Sequence, residues 1–230
     1  MEVGVLFSES GFLALNKPAG MISQGPKTSD IPELWELLRE YYPEGHVAHR
    51  IDQFTSGINL AGTSRQRIGY LMRNWYHITK KTYLAVIANP AWNEKTVATP
   101  LKGKSAVTSF QVLERSGKFA LTKCQLVQNG RTHQIRQHLR SIDHPIVGDR
   151  KYGGLMTTAR SGQLLHAWRM GVRLPDESGS PSAWTTIQAP IPDDFKQFNF
   201  SWSLWDSQAT PTLATWAVPC GWRLVTTVMV

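Results

Sequence analysis

A carboxylate and a guanidinium stand two residues apart in residues 49–52, His-Arg-Ile-Asp, and Thr-Ser-Gly follows at residues 55–57. Asp52 is the acid of this segment. It is not placed to cap a helix, and the Ser-Gly pair that signals a turn begins four residues later. The residues alone leave two interpretations open: Asp52 is a chemically active carboxylate, or it is a loop residue that hydrogen-bonds its own backbone.

A second segment favours the chemical interpretation. Residues 129–139 read Asn-Gly-Arg-Thr-His-Gln-Ile-Arg-Gln-His-Leu, and residues 143–149 read Asp-His-Pro-Ile-Val-Gly-Asp. With residues 49–57 they resemble the RluA family of pseudouridine synthases, which carries His-Arg-Leu-Asp before Thr-Ser-Gly, then Gly-Arg-Thr-His-Gln-(Leu/Ile)-Arg and His-Pro-Ile-x-Gly-Asp. Ile51 replaces the commoner Leu. Three further short motifs of the family occur at residues 16–20, 81–85 and 165–167, in the same order along the chain as in the family. The resemblance therefore extends from about residue 3 to residue 195.

The resemblance implies that a uridine in ribosomal RNA, transfer RNA or both is isomerised to pseudouridine. The N1 glycosidic bond breaks, the uracil turns, and C5 bonds to the same sugar carbon, so the reaction needs no cofactor, metal or redox partner. It does need one carboxylate beside the sugar, shielded from water. The nucleotide must also be flipped out of its stack, at a cost on the order of a few kcal/mol.

Matching the motifs residue by residue assigns the catalytic roles. Asp52 matches the catalytic aspartate, which acts either as nucleophile on C1′ or as promoter of a glycal-type elimination. Burial disfavours a charged carboxylate, and Arg136 matches the arginine that opposes this by binding the carboxylate through two hydrogen bonds. Tyr83 matches the tyrosine that packs against the target base, with proton transfer as a further role. Leu165 matches a leucine of the pocket wall.

The remaining assignments concern RNA contact. Arg50 matches the residue that fills the space left by the flipped nucleotide, with a phosphate contact or an ion pair as the alternative. His49 is expected to order the loop by hydrogen bonding, with acid-base work as the alternative. Lys17 is expected to be solvated, with a phosphate contact as the alternative. Further candidates for phosphate contact share a basic side chain near the motifs: Arg131, His133, Arg140, Arg150 and Lys151. Taken without the resemblance, Arg136 is an ordinary helix-surface arginine and Tyr83 an aromatic of the sheet core.

Three other function classes agree less well with the sequence than a synthase does. A non-catalytic RNA-binding protein on the same scaffold is expected to have another residue at position 52, 83 or 136. Asp52, Tyr83 and Arg136 are all present. A metal-dependent hydrolase using His133, His138 and His144 lacks suitable ligand spacing, because the first two are five residues apart and no acidic ligand is suitably spaced. A glycosidase needs a second carboxylate, where this motif has an arginine.

Composition favours a polyanionic partner, of which nucleic acid is the first candidate. The net charge is +8, from 25 basic and 17 acidic residues, and the pI is near 9.7. The two cysteines make neither a zinc cluster nor a disulfide framework, and Cys124 is predicted to be a core residue. No signal peptide or apolar stretch of membrane-spanning length is visible, so we expect a cytoplasmic protein without membrane contact. Nothing demands a multimer, and a monomer is expected.

The secondary structure that must position these residues is predicted to alternate between β-strands and helices. A hairpin is predicted over residues 3–16, and a helix is predicted to start at a capping box formed by Asp30 and Glu33. A strand at residues 58–61 precedes a second helix, whose predicted capping box is Thr63 and Gln66 and whose apolar face includes Ile68, Leu71, Met72 and Trp75. Met72 and Trp75 are interpreted as core residues, with base-stacking platforms as the alternative.

Longer strands follow, and Thr132 is predicted to cap a third helix whose apolar face holds Ile135, Leu139 and Ile142. His133, Arg136, Gln137 and Arg140 are predicted on its polar face. The predicted strands cover residues 82–88, 106–113, 118–127, 164–174 and 184–188. This order predicts an α+β fold with a mostly antiparallel sheet.

The resemblance implies the pseudouridine synthase fold: a large mixed sheet in two subdomains, flanked by helices around a central basic cleft. Residues 1–195 are expected to be the catalytic domain, with no room for the family's frequent N-terminal S4 RNA-binding module. Residues 196–230 match no pattern and contain Trp202, Trp205, Trp216 and Trp222. We expect this extension to pack on the protein, because four tryptophans are rarely left in water.

Overall fold

A computed structural model describes residues 2–25, 31–128, 130–175 and 182–217. The chain divides into two compact units. The first comprises residues 1–80, 169–190 and 208–230, and the second comprises residues 81–168 and 191–207. Each unit combines antiparallel strands with helices, so the predicted α+β class is confirmed.

The first unit is built on a sheet with the strand order β11-β1-β2-β4. Strand β3 pairs with β4, and β10 pairs with residues 169–172 of β9. The elements are β1 (Glu2–Glu9), β2 (Phe12–Lys17), α1 (Leu34–Tyr41), β3 (His46–Val47), β4 (Ser56–Gly62), α2 (Arg65–Ile78), β9 (Leu165–Val172, of which residues 169–172 belong to this unit), β10 (Thr185–Gln188) and β11 (Ala214–Ala217). The predicted first hairpin is confirmed, since Ser10 and Gly11 at its turn both have positive φ, 49° and 78°.

Alternating side chains of β2 serve two separate cores, because successive residues of a strand point to opposite faces. Leu13 and Leu15 belong to the core that includes Leu34 and Leu38 of α1. Phe12 and Ala14 belong to the core that includes Leu71 and Ile78 of α2. The two helices therefore cover opposite faces of this sheet.

The start of α2 differs from the prediction by one residue. Ser64, not Thr63, is the N-cap, and its Oγ accepts a hydrogen bond from the backbone N–H of Arg67 at 3.4 Å. The Thr63 hydroxyl instead donates to the carbonyl of Gly11 at 3.1 Å. The interpretation of Met72 as a core residue is also wrong, because its side chain is 65% exposed. Trp75 does pack against the core.

The second unit contains a sheet with the strand order β5-β8-β7-β6. Its elements are β5 (Thr79–Ala88), β6 (Glu94–Val97), β7 (Val107–Ser116), β8 (Phe119–Gln128), α3 (Gln134–Ser141), α4 (Asp193–Lys196) and α5 (Trp202–Asp206). Cys124 is buried in β8, as predicted. The N-cap of α3 is His133 in a left-handed conformation, without a side-chain cap, so the prediction that Thr132 caps this helix is wrong.

The helix predicted to start at Asp30 begins at Leu34 in the structure. Its N-cap is Glu33, which makes no side-chain cap hydrogen bond, and Asp30 lies outside the described residues. Within the described residues, no helix is long and apolar enough to cross a membrane.

Trp205 and Trp216 of the C-terminal extension pack on the protein, as expected. Trp216 is 5% exposed and stacks on Tyr41 with ring centroids 4.4 Å apart. Trp205 donates from its indole N–H to the carboxylate of Glu114 at 3.2 Å. Residues 196–207 belong to the second unit and residues 208–217 to the first, while Trp222 lies outside the described residues.

Candidate active site

Asp52 lies on the loop that leads into β4, and it is half-buried. Its backbone carbonyl accepts a hydrogen bond from the N–H of Thr55 at 2.9 Å, which closes a turn. The residue before it is held through its backbone, because the N–H of Ile51 donates to the hydroxyl of Ser23, and that hydroxyl lies 3.1 Å from the carbonyl of Ile51. The residue after it, Gln53, is also held through its backbone, because its carbonyl accepts hydrogen bonds from Lys17 and Gly20. Asp52 therefore sits between two anchored peptide units.

Lys17 supplies the anchor on the Gln53 side. Its ammonium group donates to the carbonyl oxygens of Pro18, Met21 and Gln53 at 2.9, 2.8 and 3.0 Å. The side chain is 0% exposed, so the expectation of a solvated lysine is wrong, and so is the alternative of a phosphate contact. A buried ammonium is tolerated because its three N–H donors meet three carbonyl acceptors. The backbone N–H of Gly20 donates to the same carbonyl of Gln53 at 2.9 Å.

His49 ties the same loop to β4. Its Nε2 accepts a hydrogen bond from the backbone N–H of Leu60 at 3.0 Å, and its ring lies 4.7 Å from the ring of Trp75. These contacts are the ordering role expected for His49. Arg50, the next residue, is exposed. The loop therefore exposes the guanidinium of Arg50 to solvent close to Asp52, and hydrogen bonds hold the backbone on both sides of Asp52.

In the second unit, the guanidinium of Arg136 is bound by Asp149. The Nε and Nη2 atoms of Arg136 donate to Oδ2 and Oδ1 of Asp149 at 2.7 and 2.9 Å. The two residues are 7% and 1% exposed, so this is a buried bidentate pair. The interpretation of Arg136 as a helix-surface arginine is therefore wrong. Asp149 was visible in the sequence as the last residue of a family motif, but no role was predicted for it.

Tyr152 completes the cluster around Arg136. The Cζ of Arg136 lies 5.1 Å from the centre of the Tyr152 ring, within the range of a cation–π contact. The hydroxyl of Tyr152 lies 3.1 Å from Nδ1 of His133, and its backbone N–H donates to Asp149 at 3.3 Å. Sequence reasoning missed Tyr152, although it stands three residues after the motif that ends at Asp149.

The loop that carries Asp149 depends on glycine at two positions. Gly148 has φ +81°, and a Cβ there would lie 2.3 Å from the carbonyl oxygen of Gly162. A Cβ on Gly154 would lie 1.8 Å from the carbonyl oxygen of Ile146. Backbone therefore packs against backbone on this loop with no room for a side chain. The close approach explains why glycine stands directly before the carboxylate that orients Arg136.

Tyr83 and Leu165 are both buried, at 8% and 4% exposure. Tyr83 lies on β5 opposite Cys124 of β8, and Leu165 opens β9. Lys81 stands two residues before Tyr83, on the same face of β5. Burial lowers the pKa of Lys81 to about 8 from the ordinary value of 10.5.

The other predicted RNA-contacting residues lie nearer the surface. Arg140 is exposed and makes a loose pair with Asp143 at 3.7 Å. Arg131 and His133 are half-buried, and the backbone N–H of Arg131 donates to the side-chain oxygen of Gln134 at 2.9 Å. Arg150 and Lys151 are both exposed.

His138 belongs to a structural network in the second unit. It is 0% exposed, its Nδ1 lies 2.8 Å from the hydroxyl of Thr108, and its Nε2 lies 2.9 Å from the carbonyl of Thr99. Desolvation lowers the pKa of His138, and the hydrogen bond to the carbonyl of Thr99 partly opposes this. Among the residues that the structure describes, no group of three or more His, Cys, Asp or Glu side chains could hold a metal ion.

Residues 11–141 match the family model of RNA pseudouridylate synthases. The chain belongs to this family. Two curated relatives are similar over most of its length. The uncharacterized RNA pseudouridine synthase YlyB of Bacillus subtilis (strain 168) is 29% identical over 227 residues, covering 86% of this chain and 72% of that protein. The dual-specificity RNA pseudouridine synthase RluA of Vibrio parahaemolyticus serotype O3:K6 (strain RIMD 2210633) is 31% identical over 186 residues, covering 71% of this chain and 74% of that protein.

A solved structure shows the same fold. Human RNA pseudouridylate synthase domain containing 4 superposes with a TM-score of 0.66 at 21% identity, covering 84% of this chain and 90% of that chain. The predicted family and fold class are confirmed. The chain is an RNA pseudouridine synthase, an isomerase that acts on RNA.

Proposed function

We propose that this synthase isomerises specific uridines of ribosomal RNA, transfer RNA or both, and that Asp52 is the catalytic carboxylate. The observation that carries the proposal is the anchoring of Asp52. Its neighbours Ile51 and Gln53 are bound through their backbones by Ser23 and by the buried ammonium of Lys17. Such pre-organisation serves a group that must meet a sugar carbon in one orientation.

Arg136 and Tyr83 are proposed to act with Asp52 on the same nucleotide. A guanidinium has five N–H donors, and Asp149 accepts from two of its nitrogens. Asp149 and Tyr152 therefore fix the plane of Arg136, so that it can bind a second carboxylate without reorienting. We propose that this carboxylate is Asp52, and that Arg136 favours its charged form. Tyr83 would pack against the flipped uracil, with Leu165 on the pocket wall.

The target nucleotide is proposed to leave its stack before the chemistry. Arg50 would fill the vacated space, which its exposure and its position two residues before Asp52 support. Arg131, His133 and Arg140 would contact phosphates around the central basic cleft expected for the family. We further propose that the enzyme acts as a monomer in the cytoplasm. Size-exclusion chromatography with light scattering tests the first part.

The test uses the purified protein on unmodified ribosomal and transfer RNA transcripts. Pseudouridine is mapped by carbodiimide-dependent primer extension for the wild type, for Asp52→Asn and for Asp143→Asn, which changes an exposed carboxylate. We expect Asp52→Asn to abolish product while RNA affinity persists, and Asp143→Asn to leave both unchanged. Product formation by Asp52→Asn would end the assignment of Asp52. RNA binding without turnover by the wild type on both transcripts would favour a non-catalytic RNA-binding protein.

A further inference from the structure

The outward surface of α2 combines positive charge with large apolar side chains. We call Arg65, Met72, Arg73, Tyr76 and His77 the α2 face, and all of them are exposed. Met72 and Tyr76 are 65% and 66% exposed. Residues 65–81 contain no Asp or Glu. The buried side of this helix is apolar as usual, so an outward side that is also partly apolar indicates a binding surface.

A cation–aromatic cluster extends the α2 face beyond the end of the helix. The ring of Trp184 is 40% exposed, and the ammonium nitrogen of Lys80 lies 4.3 Å from its centre. The Cζ of Arg173 lies 5.8 Å from the same ring. Two cations thus contact one exposed indole in the first unit. Lys80 follows the helix by two residues, so the α2 face and this cluster are joined through the chain.

This surface is connected to the loop of Asp52. Trp75, the residue before Tyr76 in α2, packs its ring 4.7 Å from the ring of His49. His49 is three residues before Asp52, and its imidazole is fixed to β4 by the N–H of Leu60. The loop of Asp52 is therefore packed directly against the helix whose outward side is the α2 face.

We infer that the α2 face and the Lys80–Trp184–Arg173 cluster bind the RNA strand that flanks the target uridine; the inference rests on the proposed function of Asp52. Arg65, Arg73 and Lys80 would contact phosphates. Tyr76 and Trp184 would stack on bases, as aromatic side chains do in single-strand-binding proteins. Unpaired flanking bases are the substrate feature that this surface selects.

Charge complementarity favours RNA over a protein partner. The described carboxylate that pairs with the α2 face is Glu44, which lies 3.8 Å from Arg65 with both side chains largely exposed. Such a pair is weak, because exposed ion pairs contribute little and are screened. Aromatic rings interleaved with cations match the alternation of bases and phosphates along one strand.

The experiment measures RNA binding without turnover. The triple variant Arg65→Gln, Arg73→Gln and Lys80→Gln is compared with a matched triple variant of exposed cations elsewhere, Arg39→Gln, Lys95→Gln and Lys104→Gln. Affinity for an unmodified ribosomal RNA transcript is measured by filter binding at several salt concentrations. We expect the α2 triple variant to lose about tenfold or more in affinity and to flatten the salt dependence, because phosphate contacts release counterions.

The aromatic residues are tested separately. Tyr76→Ala with Trp184→Ala should weaken binding with an unchanged salt slope, since stacking releases no counterions. Crosslinking of the wild-type protein to a 4-thiouridine-substituted transcript should mark peptides within residues 65–81 and 182–188. This measurement needs no variant to fold.

Equal affinity of the two triple variants, or crosslinks confined to other peptides, would overturn the inference. Binding of a protein at this face with no effect on RNA affinity would overturn it as well. The proposed function is tested independently by the turnover of Asp52→Asn. The wild type could form pseudouridine while the α2 triple variant binds RNA like its matched control. That result would support the proposed function and refute the RNA-binding role of the α2 face.

Discussion

The carboxylate of Asp149 holds the guanidinium of Arg136 by two hydrogen bonds, 2.7 and 2.9 Å long, in a site where both side chains are buried. Arg136 reaches this geometry from the first turn of α3, where sequence reasoning placed it on a polar face. The pair converts a flexible side chain into a fixed planar donor. Asp149 therefore matters as much for the proposed chemistry as Arg136 does.

Removal of Asp149 should destabilise the protein. Asp149→Ala leaves the buried guanidinium without its counter-charge, and breaking a buried pair in this way costs about 3–5 kcal/mol. Urea denaturation measures the loss in unfolding free energy. The control is Asp143→Ala, which removes an exposed carboxylate 3.7 Å from Arg140 and should cost less than about 1 kcal/mol. Similar losses in the two variants would show that the Asp149 pair is not structural.

Replacement of Lys17 should slow the reaction while the affinity for RNA is kept. Lys17→Met removes the ammonium donor from the carbonyls of Pro18, Met21 and Gln53, and the Gln53 carbonyl beside Asp52 then keeps the N–H of Gly20 as its donor. We expect a fall in kcat of at least about tenfold with little change in KM, because the lost contact positions Asp52, which is proposed to act in the transition state. Single-turnover kinetics provide the measurement.

Lys95→Met, a change at an exposed position of β6, is the control for the Lys17 variant and should behave like the wild type. The stability of Lys17→Met should also fall, by about 2 kcal/mol or more, since the carbonyls of Pro18 and Met21 lose the ammonium donor and each unsatisfied buried carbonyl costs about 1–3 kcal/mol. A rise in KM at constant kcat would instead assign Lys17 to RNA binding.

Lys81 should make the stability depend on pH. In the unfolded chain Lys81 stays protonated up to its ordinary pKa of 10.5. In the folded protein burial lowers this pKa to about 8, so the ammonium group loses its proton near pH 8. Between these values the unfolded state binds more protons, so stability rises with pH, and the burial penalty is complete below about pH 8. Lys81→Met removes this penalty.

The Lys81→Met variant should therefore gain stability over the wild type at pH 7, and the gain should shrink towards pH 10.5. Urea denaturation at pH 7, 9 and 10.5 measures the difference, with Lys95→Met as the exposed control. A difference that is constant with pH would show that Lys81 titrates at its ordinary value in the folded protein.

Gly154→Ala should be far more damaging than Gly153→Ala. A Cβ at residue 154 would lie 1.8 Å from the carbonyl oxygen of Ile146, so the backbone of the Asp149 loop must shift. At residue 153 nothing lies within 4 Å of a Cβ, and only the positive φ of +79° is unfavourable. The second change should cost about 1–2 kcal/mol, and the first should cost more. Thermal unfolding of the two variants is a direct comparison.

Periodic patterns and family motifs predicted much of the architecture. The β1–β2 hairpin, the long strands β5, β7 and β8, and the apolar sides of α2 and α3 all follow from local sequence. Cap positions were less well predicted, because Thr63 and Ser64 are both competent caps and only the tertiary contact of Thr63 with Gly11 decides between them. The short strands β3, β6 and β11 lack a sequence signal, since two to four residues carry too little periodicity.

The interior of the candidate site was predicted only in part. The motifs gave Asp52, Tyr83 and Arg136 but not the groups that hold them. Lysine is rarely buried, so the position of Lys17 depends on three carbonyls that converge only in the folded loop. Met72 shows the opposite error: helical spacing placed it in the core, but the apolar arc of α2 is too narrow to include it.

The pairing of β11 with β1 has a consequence for shortened forms of this protein. Residues Ala214–Ala217 satisfy the backbone of β1, and Trp216 covers the ring of Tyr41. A chain that stops at residue 213 would leave β1 as an open sheet edge with unpaired N–H and C=O groups beside a bare aromatic ring. Edges of this kind recruit strands from other molecules, so we expect such a truncation to self-associate more readily than the full chain, even with every proposed catalytic residue intact.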